Sequence, residues 1–510
     1  MNQMKKRSRK ALIICLLFLV ALNFKNVLYA LESSSFDTER YFSNKVIEKK
    51  LKNGITLLMM NRGYSPVISL HIAFKVGSVD ESYNTEGVAH ILEHMLFKGT
   101  DKIGTKDYSQ EKALLDKIEA IGDTIDKLKL KNPTNSKIKE LEEELKILEE
   151  KHAMLVESSP YDKLYSAMGG VGFNASTSSD MTGYYISLPA DKIEEWANIE
   201  SQRLKNPVFR EYYKERNNVL EERLMRYGRG SSGILWETFM ALAYSAHPYR
   251  HPVIGWESSI KYMSLSDVRN FYYSHYVPSR MTITIVGRFD SEKTFEVIKK
   301  YFEDIPPRPE PDEVKIIEPE QLGQKRGEVF FDAKPMIFIG WKKPSAPKKE
   351  DYAFDIISTI LSEGKSSRLY RSLVLEKKLV TSIDVWNGAP GIRYDNIFMI
   401  MATPAQGVDS EIVEKAIMEE IENFKKTVSA EEIERARNQL ESSLIFMLDS
   451  NDGVAHQLSY YQTILGDWRY LPLYLKRISS VDKEEIKSVM EKFIIDKNKV
   501  VVYLRDSRGK

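Results

Sequence analysis

The sequence has a single cysteine, Cys15, among its 510 residues. It lies in a run of twelve apolar residues, 11–22, that follows a basic start containing Lys5 and Arg7. This layout is typical of a signal peptide, and twelve residues fall short of the roughly 20 needed to span a bilayer. We expect residues 1–30 to be removed after Ala30, which excludes disulfides and cysteine catalysis from the mature chain.

The sequence also lacks an excess of charge of either sign. Its formal net charge is +1 and its pI is about 7.7. This balance gives no overall attraction to nucleic acid or to an anionic membrane, so we expect neither partner. The mature chain is predicted to be periplasmic or secreted, without a stable membrane span. An uncleaved membrane anchor is the alternative.

Histidine is scarce, yet two of the 8 histidines lie four residues apart in His90-Ile91-Leu92-Glu93-His94. Positions i and i+4 of a helix share one face, so both rings can reach one ion, with Glu93 beside it. Roughly 0.016 such matches are expected by chance at this composition. Catalytic zinc takes imidazole ligands and keeps a water. The motif predicts a zinc site with Glu93 as its base, the alternative being histidines that only satisfy hydrogen bonds in the core.

Periodicity places this motif in a chain of alternating strands and helices. Strands are predicted at residues 46–60 as a hairpin turning at Asn53-Gly54, and at residues 67–76, 169–177, 182–189 and 281–287. Helical periodicity runs from 191 to 203 and from 210 onward. The second half repeats this mixed order, but the helix near residues 353–361 that would echo the motif has no histidine.

The proline-rich stretch at 304–311 predicts a linker between two domains. We therefore predict an α+β fold with an N-terminal metal-bearing domain at 45–305, a linker at 306–327 and a second domain at 328–510. Within the first domain, apolar residues repeat at four and three over residues 107–157, with a break at 132–135. This pattern predicts an antiparallel helical hairpin. We interpret the hairpin as an insertion that contributes surface, not chemistry.

The segment from Gly87 to Thr100 resembles the pitrilysin/insulinase family of zinc peptidases, of the inverzincin HxxEH type. The branch that includes the mitochondrial processing peptidases is the most similar. The resemblance covers about 45 to 505 and implies two homologous αβ domains, each a mainly antiparallel mixed sheet packed by helices, that form half of a clamshell chamber. Its other parts are Phe173-Asn174-Ala175 with Thr177, Thr182 and Tyr184, the helix at 215–222, and residues 286–290.

This resemblance also implies which residues do the chemistry. The third metal ligand is the second of two glutamates seven apart, which maps onto Glu222, with Glu215 as a further catalytic residue. Glu221 is a rival, but only one of the adjacent pair can share the helix face of Glu215, and seven residues is almost two turns. In the family an edge strand pairs with extended substrate, which makes Asn174 and Ala175 the substrate-binding candidates.

Two departures from the family pattern stand out. Glu222 lies far from His94 in sequence, and the hairpin at 107–157 accounts for the excess. Many relatives also carry an Arg and a Tyr seven apart after Ser-Arg-Leu in the second half, to grip substrate near the metal. The corresponding positions here are Val374 and Thr381. We expect another subunit to supply these contacts, in a homodimer or in a heterodimer with a homologous subunit.

The resemblance implies an exported zinc metallo-endopeptidase that hydrolyses extended peptides or small unfolded proteins, with Glu93 as general base. One alternative is a weakly active or inactive peptidase-like binding or assembly subunit of a hetero-oligomer. Another is a maturation protease that trims a single partner. His247 and His251 suggest a second metal site, but the prolines between and after them break helical spacing, so we interpret this segment as a packing turn.

Overall fold

The computed structural model describes residues 38–63 and 65–509, so the predicted signal peptide lies outside the described residues. The described residues up to Lys45 belong to one unit, which contains helix α1 (Thr38–Ser43). The chain from Val46 onward belongs to a second unit, which contains both sheets. In the described part of the chain, no helix is both long and apolar enough to cross a membrane.

The first sheet has six strands in the order β1-β2-β6-β3-β5-β4. Neighbouring strands are antiparallel except β2 and β6, which run parallel. The predicted hairpin turn is present, and Gly54 adopts a φ of +104°, a conformation that side-chain-bearing residues rarely adopt. The strands are β1 (Val46–Lys50), β2 (Thr56–Asn61), β3 (Val67–Phe74), β4 (Val171–Thr177), β5 (Thr182–Pro189) and β6 (Met281–Gly287).

Ten α-helices lie between β3 and β7 (Lys325–Phe331) in the described chain. A π-helical turn at Leu224–Gly228 follows directly after α7. The helices are α2 (Val88–Met95), α3 (Tyr108–Lys131), α4 (Lys137–Ala153), α5 (Pro160–Ala167), α6 (Ile193–Lys205), α7 (Tyr212–Arg223), α8 (Ser231–Ala243), α9 (Glu257–Tyr262), α10 (Leu265–His275) and α11 (Ser291–Phe302).

The second sheet has five strands in the order β7-β11-β8-β10-β9. They are β7 (Lys325–Phe331), β8 (Met336–Lys343), β9 (Val380–Ala389), β10 (Asn396–Pro404) and β11 (Lys499–Asp506). The helices of the second half of the chain are α12 (Lys349–Ser362), α13 (Ser410–Thr427), α14 (Ala430–Met447), α15 (Asn451–Leu465), α16 (Tyr470–Ser480) and α17 (Lys483–Phe493). Residues 303–324 connect α11 to β7 without forming a helix or a strand.

The two sheets repeat one topology. Strands β2 to β6 correspond in chain order to β7 to β11, and each set has the same parallel pair followed by the same three antiparallel pairs. Helix α2 follows β3 as α12 follows β8, and α7 occupies the place in chain order that α14 occupies in the second half. The predicted α+β class with two mixed, mainly antiparallel sheets is confirmed.

The two halves exchange helices across their boundary. Helix α15 of the second half packs on β3 and β6 of the first sheet, while α8 of the first half packs on β7 and β11. A core cluster that includes Phe239 of α8 and Val502 of β11 is buried between them. The division into domains at residues 306–327 stays a prediction.

The helical hairpin predicted at 107–157 is present as α3 and α4. Lys129 pairs with Glu142 near the turn, and Glu111 contacts His152 at the opposite end, so the two helices run antiparallel. In the second half only residues 363–379 separate α12 from β9, whereas residues 96–170 separate α2 from β4. The hairpin is therefore an addition to the repeated topology.

Candidate metal centre

Helix α2 is fixed at its first turn by glycine and glutamate. Gly87 precedes the helix with a φ of +97°, and a Cβ there would lie 2.4 Å from the carbonyl oxygen of Ile254. The buried carboxylate of Glu81 accepts from the backbone N–H groups of Gly87 (2.8 Å) and Ala89 (2.9 Å), which have no partner inside the helix. Helix α2 is thereby held in one orientation.

Three of the predicted site residues converge. His90 Nε2 lies 3.8 Å from Glu222 Oε1, and His94 Nε2 lies 3.7 Å from Glu222 Oε2. The ligand atoms of this group all lie within 4.8 Å of one another, and no other group of three or more His, Cys, Asp or Glu in the described residues has this geometry. Two imidazoles and one carboxylate are a donor set that zinc accepts in catalytic sites. The residues present therefore fit a zinc ion.

The two histidines differ in the direction in which their surroundings shift the pKa. Burial lowers the pKa of His90 to about 3, with the neighbouring His94 and Arg226 acting in the same direction. Its imidazole is neutral and keeps a lone pair for a metal. Burial acts to lower the pKa of His94 as well, but the hydrogen bond to Glu215 and the charges of Glu93 and Glu222 raise it above its usual value.

Glu215 lies behind His94 and outside the converging group. His94 Nδ1 donates to Glu215 Oε2 at 3.5 Å, and Lys98 Nζ donates to Glu215 Oε1 at 2.5 Å. Burial alone would raise the pKa of Glu215, but the hydrogen bonds from His94 and Lys98 lower it to about 2. An ionised carboxylate on the far ring nitrogen directs the other nitrogen of His94 toward Glu222.

Glu93 is held by a threonine from the sheet. Thr177 Oγ1, at the end of β4, donates to Glu93 Oε2 at 2.6 Å. Burial raises the pKa of the Glu93 carboxyl, while this hydrogen bond acts to lower it. The side chain of Glu93 thus lies beside the histidines with one oxygen fixed and the other free to act as a base.

Strand β4, which carries Asn174 and Ala175, is the last strand of the first sheet and pairs only with β5 in the described chain. Its register shifts between Val171 and Asn174. Ala175 is buried and Asn174 is exposed. Asn174 lines a cavity of about 340 Å³ together with Glu93 and His94. The predicted substrate strand therefore borders the same space as the converging residues.

The remaining predicted positions lie elsewhere. Glu221 is exposed and is not part of the converging group. His247 caps the turn at Pro248–Arg250, where its Nδ1 accepts from the Tyr249 N–H, so it packs in a turn as the prolines indicated. Val374 packs against the second core, and the Thr381 hydroxyl donates to the Thr403 carbonyl.

Three residues at the site were not assigned from the sequence: Thr177, Lys98 and Arg226. Lys98 lies four residues after His94, and Arg226 lies four residues after Glu222, where its Nη2 is 2.8 Å from Glu222 Oε1. The i, i+4 rule that identified the histidine pair would have found Arg226, whereas Lys98 lies beyond the end of α2 and contacts Glu215, 117 residues away. Thr177 lies 84 residues from Glu93, and periodicity alone carries no signal for that contact.

Known proteins match over most of this chain, and two family models match parts of it. The family model described as Insulinase (Peptidase family M16) matches residues 57–129, and that described as Peptidase M16 inactive domain matches residues 262–440. Zinc protease PqqE of Helicobacter pylori is 26% identical over 467 residues, covering 89% of this chain and 91% of that protein. The probable mitochondrial-processing peptidase subunit beta of Arabidopsis thaliana is 24% identical, covering 88% of this chain and 76% of that protein.

A solved structure agrees with these matches. The crystal structure of a protease from Helicobacter pylori superimposes with a TM-score of 0.76 at 25% identity, covering 90% of this chain and 99% of that chain. The sequence matches and the shared fold lead to one conclusion, that the chain belongs to the pitrilysin/insulinase family, peptidase family M16.

Proposed function

We propose that this chain is an exported zinc metallo-endopeptidase that hydrolyses extended peptides or small unfolded proteins. The observation that carries the proposal is the convergence of His90, His94 and Glu222 next to Glu93. The relative from Helicobacter pylori bears the name zinc protease, which supports the metal and the reaction class. Export is supported by the signal-peptide pattern at residues 1–30.

His90, His94 and Glu222 hold the zinc ion in this proposal. When bound, zinc lowers the pKa of a water molecule and polarises the scissile carbonyl. Glu93 accepts the proton of the attacking water and returns it to the leaving amine, so peptide-bond cleavage consumes one water and leaves the base unchanged. Thr177 fixes one oxygen of Glu93, which leaves the other for the transfer.

Glu215 acts in this proposal through His94 and does not touch substrate. Its carboxylate accepts from His94 Nδ1 and is held in turn by Lys98 and by Asn218 Nδ2 at 3.1 Å. Such a partner fixes the tautomer and the direction of a ligating imidazole. We therefore assign Glu215 and Lys98 as positioning residues for His94.

Substrate binds in our proposal as an added strand on β4. Backbone hydrogen bonds at Asn174 and Ala175 then supply affinity without strict sequence choice, as is usual for strand addition at a sheet edge. The cavity beside Glu93 and His94 receives a side chain next to the scissile bond. The acidic residues Glu157 and Asp162 are among those that line it.

We further propose that the active form is a homodimer or a heterodimer with a homologous subunit. The packing of Val374 in the second core and the short polar side chain of Thr381 leave those positions without an Arg–Tyr grip. The Arabidopsis relative is named as a subunit, which supports a shared assembly. Light scattering on the purified mature chain tests this, and a fully active monomer contradicts it.

The function is tested by metal analysis and digestion of a peptide library by the mature protein, with and without chelator. We expect stoichiometric zinc, cleavage that chelator abolishes, and recovery on zinc addition. Glu93→Gln should keep zinc and lose turnover by about 10²–10⁴-fold, because it removes the base alone. Zinc binding without cleavage of any peptide favours the binding-subunit alternative. Cleavage of one partner protein alone favours a maturation protease.

A further inference from the structure

The α3–α4 hairpin contacts helix α7, which carries Glu215 and Glu222, through buried charged side chains. Glu111 and Arg210 are each 0% exposed, and Asp126 and Arg216 are each 8% exposed. Charged residues are rarely buried unless paired, and breaking a buried pair leaves an uncompensated charge. One face of α3 is thus part of the interior next to the metal centre.

Arg210 joins the hairpin to both ligand-bearing helices. Its Nε and Nη2 donate to the Glu111 carboxylate at 2.7 and 3.1 Å. Its Nη atoms also donate to the carbonyls of Thr100 (2.8 Å) and Ile103 (3.2 Å), in the segment that follows α2. Glu111 accepts in addition from His152 Nε2 of α4 at 2.9 Å. Arg210 immediately precedes the start of α7, so Glu111 supplies the counter-charge at the junction of α2 and α7.

A second contact lies about four turns further along α3, at Asp126. Asp126 binds Arg216, the neighbour of Glu215 on α7, through two hydrogen bonds of 2.5 and 3.1 Å. Between the two ion pairs, the ring of Tyr213 packs against α3 at Gly122. A Cβ at Gly122 would lie 2.0 Å from Tyr213 Cζ. The Tyr213 hydroxyl shares its hydrogen between the Glu119 carbonyl (3.1 Å) and Asp123 Oδ1 (3.0 Å), which tethers the ring to α3.

We propose that the inserted hairpin positions the metal centre. Glu111, Gly122 and Asp126 fix the distance and rotation of α7 relative to α2, so that Glu222 faces both histidines and Glu215 faces His94 Nδ1. These are positioning residues, since none of them touches the converging group. The inference rests on the proposed zinc site, and it assigns a role to a segment that the repeated topology does not require.

The test uses Gly122→Ala in the full mature protein, with zinc affinity measured by chelator competition. Alanine raises the helix propensity of α3, but its Cβ overlaps the Tyr213 ring, so α3 and α7 must move apart. We expect zinc binding to weaken by about 10–100-fold, the range for loss of a partner that orients a metal ligand. Thr124→Ala, at an exposed position of the same helix, is the matched control and should leave zinc affinity unchanged.

Rescue separates positioning from general damage. Tyr213→Leu removes the outer ring atoms and the hydroxyl that would overlap the added Cβ. The double variant Gly122→Ala/Tyr213→Leu should therefore bind zinc with an affinity within about threefold of that of Tyr213→Leu alone. A Gly122→Ala protein with wild-type zinc affinity contradicts the inference, and so does a loss that Tyr213→Leu fails to relieve.

Asp126→Asn provides a second measurement that keeps the shape of the side chain. It should weaken zinc binding more than Lys129→Met does, which breaks the partly exposed Lys129–Glu142 pair of the hairpin. Circular dichroism checks that the two variants are folded to the same extent. An Asp126→Asn protein that binds zinc like Lys129→Met contradicts the inference. Absence of zinc from the folded wild-type protein would overturn the proposed function and this inference together, whereas zinc binding that none of these variants changes overturns this inference alone.

Discussion

The first and second halves place different side chains on the same framework. Helix α2 presents His90 and His94 four residues apart, and α12, its counterpart after β8, presents Asp351 and Asp355 with the same spacing. Lys343, at the end of β8, donates to Asp351. In the second half a lysine of the chain itself is bound to one carboxylate of the pair, whereas in the first half the histidines face a carboxylate.

The strand that follows each helix contributes one polar side chain. Thr177 of β4 donates to Glu93, and Asn387 of β9 donates to Asp355 Oδ1 at 2.8 Å. Tyr474 of α16 donates to Asp355 Oδ2 at 3.0 Å. Both carboxylates of the second-half cluster are thus hydrogen-bonded within the protein, as expected of a structural polar network. One topology therefore carries a group that could hold a metal ion in one half and a carboxylate pair beside a lysine of the chain itself in the other.

The largest effect that distinguishes the halves should come from the metal ligands. We expect His94→Ala to release zinc and to lower kcat/KM by about 10³-fold or more, which corresponds to about 4 kcal/mol of transition-state stabilisation. Asp355→Asn, at the position of α12 that corresponds to His94 in α2, should keep both zinc and activity. Inductively coupled plasma analysis and peptide assays on the two variants measure this. Equal losses from both would contradict the division of roles.

A smaller effect is expected from the strand side chain. Thr177→Val removes the hydrogen bond to Glu93, and a bond to a charged group contributes about 1.5–3 kcal/mol. We therefore expect kcat to fall by about 10–100-fold with zinc content unchanged and KM nearly unchanged. Thr177→Ser keeps the hydroxyl and should recover most of the activity. A Thr177→Val enzyme with normal kcat would show that Glu93 needs no support from β4.

Much of the fold could be predicted because its signals are local. The alternation from Val46 to Met60 with Asn53-Gly54 at the turn, and the spacing of His90 and His94, depend on neighbours within a few residues. Glu222 lies on a different helix from the histidines, and no local pattern relates the two. Its assignment came from the family resemblance, and the geometry then placed it against both histidines and left Glu221 exposed.

The burial of charged residues in the hairpin could not be predicted from local sequence patterns. Its charged residues predict solvated faces, and this describes exposed pairs such as Lys112–Asp116. Glu111 and Asp126 follow the same sequence pattern yet are buried, because Arg210 and Arg216 reach them from 99 and 90 residues away. The interpretation of the hairpin as surface alone therefore omits the buried face of α3. Partners so distant in sequence are set by tertiary packing, which a single sequence does not encode in its periodicity.

A milder change behind His94 should affect metal affinity more than turnover. Lys98→Met removes the ammonium that holds Glu215, whose pKa then rises from about 2 because burial is no longer offset by Lys98. We expect zinc affinity to fall by about tenfold, in the range for partners of metal ligands. Lys98→Arg should restore part of it. Chelator competition on the three proteins makes the measurement, and an unchanged zinc affinity in Lys98→Met would mean that His94 is oriented without this pair.

The smallest effect concerns stability in the second half. Burial, and then the charge of Asp351, raise the pKa of Asp355 to about 7, while an Asp in the unfolded chain has a pKa near 3.9. The folded protein therefore holds this proton more tightly than the unfolded chain does. The resulting stability is fully present below about pH 4 and is lost as the pH rises through about 7.

Asp355→Asn removes this titration, since the amide is neutral at every pH. Between pH 5.5 and pH 8.5 the wild-type Tm should fall more than that of Asp355→Asn, by roughly 2–4 °C. Calorimetry of the zinc-free proteins makes the comparison without interference from metal binding. Parallel Tm curves would mean that Asp351 and Asp355 are both ionised in the folded protein over this pH range, with Lys343 as the cation beside them. The carboxylate pair of the second half would then carry a negative charge beyond what Lys343 neutralises.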